Sequence, residues 1–152
     1  MQIKTRSFGT IDIDDAKVIT FENGLFGFEQ YKKWVLLYDS STNEAPNIQW
    51  LQSAEEELLA LPVMMPVMVI PEYNPIVEYS TLGCIGRWSE ESITVLVTVT
   101  VPQDIKNTSV NLKAPIIVNT DTMKGCQLIA ENPDYEIKHS IYTVLKAAKD
   151  KA

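Results

Sequence analysis

The stretch 95-VLVTVTV-101 alternates strictly: Val95, Val97, Val99 and Val101 fall on one side, and Leu96, Thr98 and Thr100 on the other. Successive side chains of a strand point to opposite faces, so this period of two predicts a half-buried antiparallel strand. Pro102, which has no amide hydrogen to give a ladder, stops it. Shorter alternating or apolar runs recur on either side: 2-QIKTRSF-8, 10-TIDID-14, 17-KVITF-21, 34-WVLLY-38, 47-NIQWLQS-53, 57-ELLAL-61, 67-VMVI-70, 116-IIVNT-120 and 126-CQLIA-130. Short strands at such regular spacing predict a mainly β protein, either a small antiparallel sheet closing on itself in a barrel-like form or a sandwich. Phe8-Gly9-Thr10 reads as a tight hairpin turn, and 121-DTMKG-125 as a longer hairpin loop with Gly125 able to take positive φ.

Helix is scarce. From Ser140 onward, Ile141, Val144, Leu145 and Ala148 keep helical spacing, Ser140 stands where a cap would, and Lys146, Lys149 and Lys151 crowd the end favoured by the helix dipole. A short C-terminal helix over 140–151 is expected, and a second short one within 75–86. The loop 39-DSSTNEAPN-47 reads as exposed connection, too short to link domains. At 152 residues the chain is expected to be one domain spanning 1–152.

Net charge is −7, and its placement is uneven: residues 1–80 hold twelve Asp and Glu against five Lys and Arg, while residues 81–152 hold eight of each. Nucleic acid is gripped through clusters of cations, and here the basic residues reach only pairs such as Lys32-Lys33, so direct nucleic-acid binding is not expected. An acidic surface suits a basic protein partner and equally serves solubility. Cys84 and Cys126 are the only cysteines, too few for a structural zinc site, and are expected reduced. The start Met1-Gln-Ile-Lys-Thr-Arg enters a strand pattern rather than an apolar leader, and prolines 62, 66 and 71 interrupt the most hydrophobic run. A cytoplasmic protein without membrane attachment is expected.

Catalytic parts are hard to assemble. His139 is the single histidine, with no nucleophile at an informative spacing. The acidic runs Asp14-Asp15, Glu55-Glu56-Glu57 and Glu90-Glu91 read as solvated faces rather than catalytic or metal-binding carboxylates. In 22-ENGLFGFE-29 the glycines lack the spacing and the Lys-Ser/Thr of a phosphate loop, and carboxylates flank them. A glycine on each side of Leu25-Phe26 permits left-handed turns that lift large side chains. No catalytic residue, metal or cofactor is expected.

The segments 19-ITFENGLFGFE-29 with 32-KKWVLL-37, then 50-WLQSAE-55, 95-VLVTVTVP-102 and 111-NLKAPIIVN-119, resemble the flagellar assembly factor FliW family in this order and at these separations. The likeness spans nearly the whole chain, ending around 137-IKH-139. It departs from the family at Phe26, where the loop usually carries Pro, in the segment 80–92, and in a longer tail from Ser140. The resemblance implies a small β-barrel-like cytoplasmic factor without catalysis, and the balance of apolar residues makes a monomer the simpler expectation. Such a factor binds the carbon storage regulator CsrA, a basic RNA-binding translational repressor, and also binds flagellin. Exported flagellin frees the factor to antagonise CsrA allosterically, coupling flagellin synthesis to export. The partner-binding residues it suggests are Phe21, Leu25, Phe26, Gly27, Phe28, Glu29, Asn111, Lys113 and Pro115. The alternative reading is a small-ligand-binding or hydrolytic barrel using His139.

Overall fold

The computed structural model describes residues 1–37 and 48–142. The 39–47 loop and all but the start of the 140–151 tail lie outside the described residues. Among the described residues eleven strands follow: β1 (Gln2–Lys4), β2 (Thr10–Asp12), β3 (Ile19–Thr20), β4 (Lys33–Leu37), β5 (Gln49–Ser53), β6 (Ala60–Met64), β7 (Ile93–Thr100), β8 (Ser109–Val110), β9 (Ile116–Asn119), β10 (Lys124–Gln127) and β11 (His139–Ser140). Seven of them close a ring in the order β7-β6-β5-β4-β3-β10-β9, with β9 returning to β7. Neighbours are antiparallel except β3 and β10, which run parallel where Thr20 meets Lys124. Closure gives every barrel strand a neighbour on both sides, although β3 and β10 share a single register pair, and it is the general remedy for exposed sheet edges. The β1–β2 hairpin stands beside the ring as a separate ribbon, turning through Gly9 at φ +66°.

The alternation read from the sequence sets what faces inward. Ile19, Trp34, Leu51, Val63, Leu96, Ile116 and Val118 fill the barrel together with Phe21 and Leu25. Register pairs such as Leu36 with Leu51, Leu51 with Leu61 and Leu96 with Ile116 stack these side chains across neighbouring strands. Burying a side chain of this size contributes roughly 1.5–3 kcal/mol, so this cluster is the main source of stability.

Strand β7 differs from its expected half-burial. Leu96 is fully buried inside the barrel, but Val97 and Val99 are buried too, under a second layer of Met64, Tyr73, Val110, Leu112 and Ile141. The residues after β6 fold back over this outer face, and β8 and β11 extend the sheet beside Val99 and Thr100. Thr100 and Val101 at the end of the stretch are exposed, and Val95 and Thr98 are half-buried.

Several local expectations are corrected. The run 67-VMVI-70 is not a strand: Pro66 opens a 3-10 turn, Pro66–Met68, and its carbonyl accepts from the amides of Val69 and Ile70 at 2.9 Å. The run is apolar at every position and so carried no alternation to distinguish strand from turn. His139–Ser140 pairs with Val110 and Ser109 as β11, and beyond Tyr142 the helix expected from Ser140 lies outside the described residues. In the β9–β10 hairpin the positive φ falls on Met123, at +54°, and not on Gly125. Gly125 is required for a different reason: it lies in β10, and a Cβ there would sit 2.4 Å from the ring of Phe21. The expected strand 126–130 accordingly begins earlier, at Lys124, and ends at Gln127. The helix expected within 75–86 is a 3-10 helix, Tyr79–Ile85, lying on β10.

Candidate functional site

Between β3 and β4 the chain makes three successive turns, closed by hydrogen bonds from the amides of Gly24 to Phe21 O (2.9 Å), Phe28 to Leu25 O (2.8 Å) and Tyr31 to Phe28 O (3.1 Å). The base is shut by the Phe21 amide donating to Lys32 O at 2.8 Å. Gly24 has φ +69°, and any Cβ on it would stand 2.4 Å from Glu29 Cα, because the two limbs of the loop cross there. Gly27 has φ +87° with open space around it. In the turn Leu25-Phe26-Gly27-Phe28 this positive φ at the third position is the type II signature, which also favours Pro at the second. Phe26 occupies that second position.

The turns sort the side chains. Phe21 and Leu25 point into the barrel and are fully buried, and Phe28 packs against the same cluster. Phe26 projects outward and is 48% exposed. Glu22 and Glu29 are exposed beside it; Glu22 pairs with Lys124 at 3.1 Å, and Glu29 Oε1 accepts from the Gly27 amide at 3.2 Å.

Two side chains from elsewhere brace the loop. Gln127 of β10 accepts the Phe26 amide on Oε1 at 2.8 Å, and its Nε2 donates to Ala114 O at 3.1 Å. One amide therefore joins the glycine loop to the Asn111–Pro115 segment, which lies far away in sequence. On the other limb Glu55 Oε1 accepts the amides of Lys32 (2.7 Å) and Lys33 (2.8 Å). The acidic run 55–57 is thus not merely a solvated face. Gln52, buried in β5, shapes the 53–59 connection by donating to the carbonyls of Glu57 and Leu59 at 3.1 Å. Neither Gln127 nor Glu55 was legible as a brace, since a polar residue in a strand or an acidic run carries no mark of its partner.

The second predicted segment is a bracket. Asn111 Oδ1 accepts the amides of Lys113 (3.1 Å) and Ala114 (3.2 Å), a local turn of the kind Asn favours. Lys113 is half-buried, its Nζ donating to Asn132 O at 2.9 Å, and Pro115 is buried. Of the nine predicted contact residues, Phe26, Gly27 and Glu29 are exposed, Phe28, Asn111 and Lys113 are partly so, and Phe21, Leu25 and Pro115 lie in the interior.

Beside Phe26 a cleft of about 420 Å³ opens between the loop, the 3-10 helix and β10, lined among others by Asn23, Thr81, Cys84 and Gln127. His139 stands apart, paired to Val110 in β11; among the described residues no carboxylate bonds its ring. Among those residues there is also no group of three or more His, Cys, Asp or Glu placed to hold a metal ion, and no helix is long and apolar enough to cross a membrane.

The geometry defines a class: a small closed β-barrel that presents a glycine-turned, doubly braced loop with one aromatic ring lifted between carboxylates. Residues 2–141 match the FliW protein family, and the chain belongs to that family of flagellar assembly factors. It is 46% identical over 147 residues to the flagellar assembly factor FliW of Lachnospira eligens, covering 96% of this chain and 97% of that one. With the FliW of Lachnoclostridium phytofermentans it shares 44% over 142 residues, 93% and 91% of the two chains. A crystal structure of the flagellar assembly factor FliW superposes with a TM-score of 0.83 at 30% identity, over 93% of this chain and 97% of that one.

Proposed function

We propose that this protein works by binding other proteins, without catalysis: it holds flagellin when flagellin is abundant in the cytoplasm, and when flagellin has been exported it binds and antagonises the translational repressor CsrA. In this reading it is a monomeric single domain, and the recognition face centres on Phe26, Gly27, Phe28 and Glu29. Phe21 and Leu25 root the loop, while Asn111, Lys113 and Pro115 support it through Ala114 and Gln127. The observation carrying the reading is the loop itself. A half-exposed phenylalanine on a rigid turn gives up apolar surface to water that only a partner would recover, and aromatic anchors in rigid settings dominate protein interfaces. The excess of carboxylates in residues 1–80 favours encounter with a basic partner such as CsrA.

The test mixes the purified protein with CsrA and with flagellin from the same cell. Two mutually exclusive complexes are expected by size-exclusion chromatography, both weakened at least tenfold by Phe26→Ala while the thermal midpoint is unchanged. Failure to bind either protein refutes the proposal, and intact binding by Phe26→Ala removes the loop from the interface.

A further inference from the structure

Cys84 and Cys126 are separated by about 40 residues of chain, yet the fold brings them to one place. Cys126 is buried in β10, and Cys84 stands half-buried on the 3-10 helix Tyr79–Ile85 that lies on β10. Both pack in the outer apolar cluster with Leu82, Ile85 and Ile117, and both line the cleft beside Phe26. Burial, with the neighbouring Cys84 thiol second, pushes Cys126 up to about 12, so the inner thiol is unreactive by itself. Cys84 is the outer one, its Sγ 3.4 Å from Thr81 O.

The support around Cys84 is uneven in a useful way. One residue on, Ile85 O is pinned by Asn119 Nδ2 (2.9 Å) and Thr122 Oγ1 (2.7 Å), which holds the helix end against the β9–β10 hairpin. The other end has no side-chain cap, and 3-10 hydrogen bonds are weaker than α-helical ones. The helix can therefore settle by a small shift while Cys84 stays over Cys126.

We propose that Cys84 and Cys126 form a reversible intramolecular disulfide when the protein meets a hydroperoxide, stapling the 3-10 helix to β10 beside the glycine loop. Cys84 as thiolate attacks the peroxide oxygen; an S–O bond forms, the O–O bond breaks, and the departing oxygen leaves as water or alcohol after taking a proton. Cys126 sulfur then attacks the sulfenic sulfur, the S–S bond forms, and hydroxide leaves with the Cys126 proton as water. Two electrons pass from the thiol pair to the peroxide, and a dithiol reductant returns them. Cys126 immediately precedes Gln127, whose side chain holds the Phe26 amide, so the staple also stiffens the loop. Any effect on partner binding rests on the function proposed above; the disulfide does not.

The experiment treats the reduced full chain with hydrogen peroxide, blocks free thiols with N-ethylmaleimide, and maps peptides without reduction. A Cys84–Cys126 crosslinked peptide is expected, with an intact mass lower by two hydrogens, no maleimide uptake, reversal by dithiothreitol, and a thermal midpoint raised by about 10 °C. Cys84→Ser should give no crosslink, and in Cys126→Ala the oxidation should stop at a sulfenic acid on Cys84 that dimedone traps. Full maleimide uptake after peroxide, or a disulfide only between two copies, overturns the proposal. A mapped disulfide with unchanged hydrogen exchange over residues 24–29 overturns the coupling to the loop.

Discussion

Replacing Phe26 by proline probes what the loop is built on, because the substitution acts in two opposing ways whose sizes follow from the structure. Position two of a type II turn accepts the fixed φ of proline, and Leu25 before it is bridged to Phe28, compatible with the extended backbone that a pre-proline residue needs. Restricting the unfolded chain there stabilises by roughly 0.4–1 kcal/mol. Proline also deletes the amide hydrogen that Gln127 Oε1 accepts at 2.8 Å, an exposed hydrogen bond whose loss costs about 0.5–1.5 kcal/mol. The net expectation for Phe26→Pro is a loss of about 0.5 kcal/mol or less. In a Gln127→Ala background the hydrogen bond is already gone, so the same substitution should instead stabilise by roughly 0.5 kcal/mol. Urea denaturation of the wild type, the two single variants and the double variant measures all four corners, and the sign change between backgrounds is the signature. If Phe26→Pro shifts stability equally in both backgrounds, the Gln127 brace contributes nothing and the account of the loop is wrong. Binding measured on the same four proteins separates turn from ring, since Phe26→Ala keeps the amide and loses only the aromatic side chain.

The two loop glycines should respond unequally to alanine. Gly27→Ala meets only the left-handed backbone cost, about 1–2 kcal/mol, whereas Gly24→Ala adds a backbone collision with Glu29 that no rotamer relieves, for a total of roughly 3 kcal/mol or more; equal losses in urea titrations would refute the crossing of the limbs. Alkaline pH should destabilise the protein. Cys126 is raised to about 12 from an ordinary 9, and the phenol of Tyr73 is pushed above the usual tyrosine range by burial first and Tyr135 second. The folded state therefore keeps these protons to higher pH than the unfolded chain, which binds fewer of them above about pH 9, so stability is full below that point and falls as pH rises. Urea midpoints at about pH 8 and pH 11 check the direction, and Cys126→Ala should flatten part of the fall.

Much of the barrel could be read because its strands carry their own pattern. In β7 and β9 the alternate residues Leu96, Ile116 and Val118 face inward, and period two needs no tertiary information. What escaped the reading depends on contacts between distant residues. The second layer that buries Val97 and Val99 comes from Tyr73, Leu112 and Ile141, none of which marks itself as a partner of β7. Gly125 invited a turn reading because glycine usually serves φ, whereas here it makes room for Phe21. Within the candidate site the glycine loop was legible from spacing and resemblance, but its orientation was not: the same eight residues send Leu25 inward and Phe26 outward, and the crossing at Gly24 decides which.

That crossing also bears on why the loop is braced so heavily. A flexible hydrophobic tip would lose conformational freedom when a partner seats on it, at about 0.5–1.5 kcal/mol for each side chain immobilised. Here the backbone is fixed beforehand by three turns, by Glu55 on one limb and by Gln127 on the other, and the anchors Phe21 and Leu25 are sunk in the core. The ordering cost is met during folding, by the same core that stabilises the barrel, so little remains to be met at binding beyond the rotamers of Phe26 and Glu29. On the proposed function, residues that never touch a partner would then still control affinity: loosening Gln127 or Glu55 would return the ordering cost to the binding step without removing a contact. The buried members of the predicted set, Phe21, Leu25 and Pro115, act on recognition in this reading through rigidity, and the exposed ones through contact.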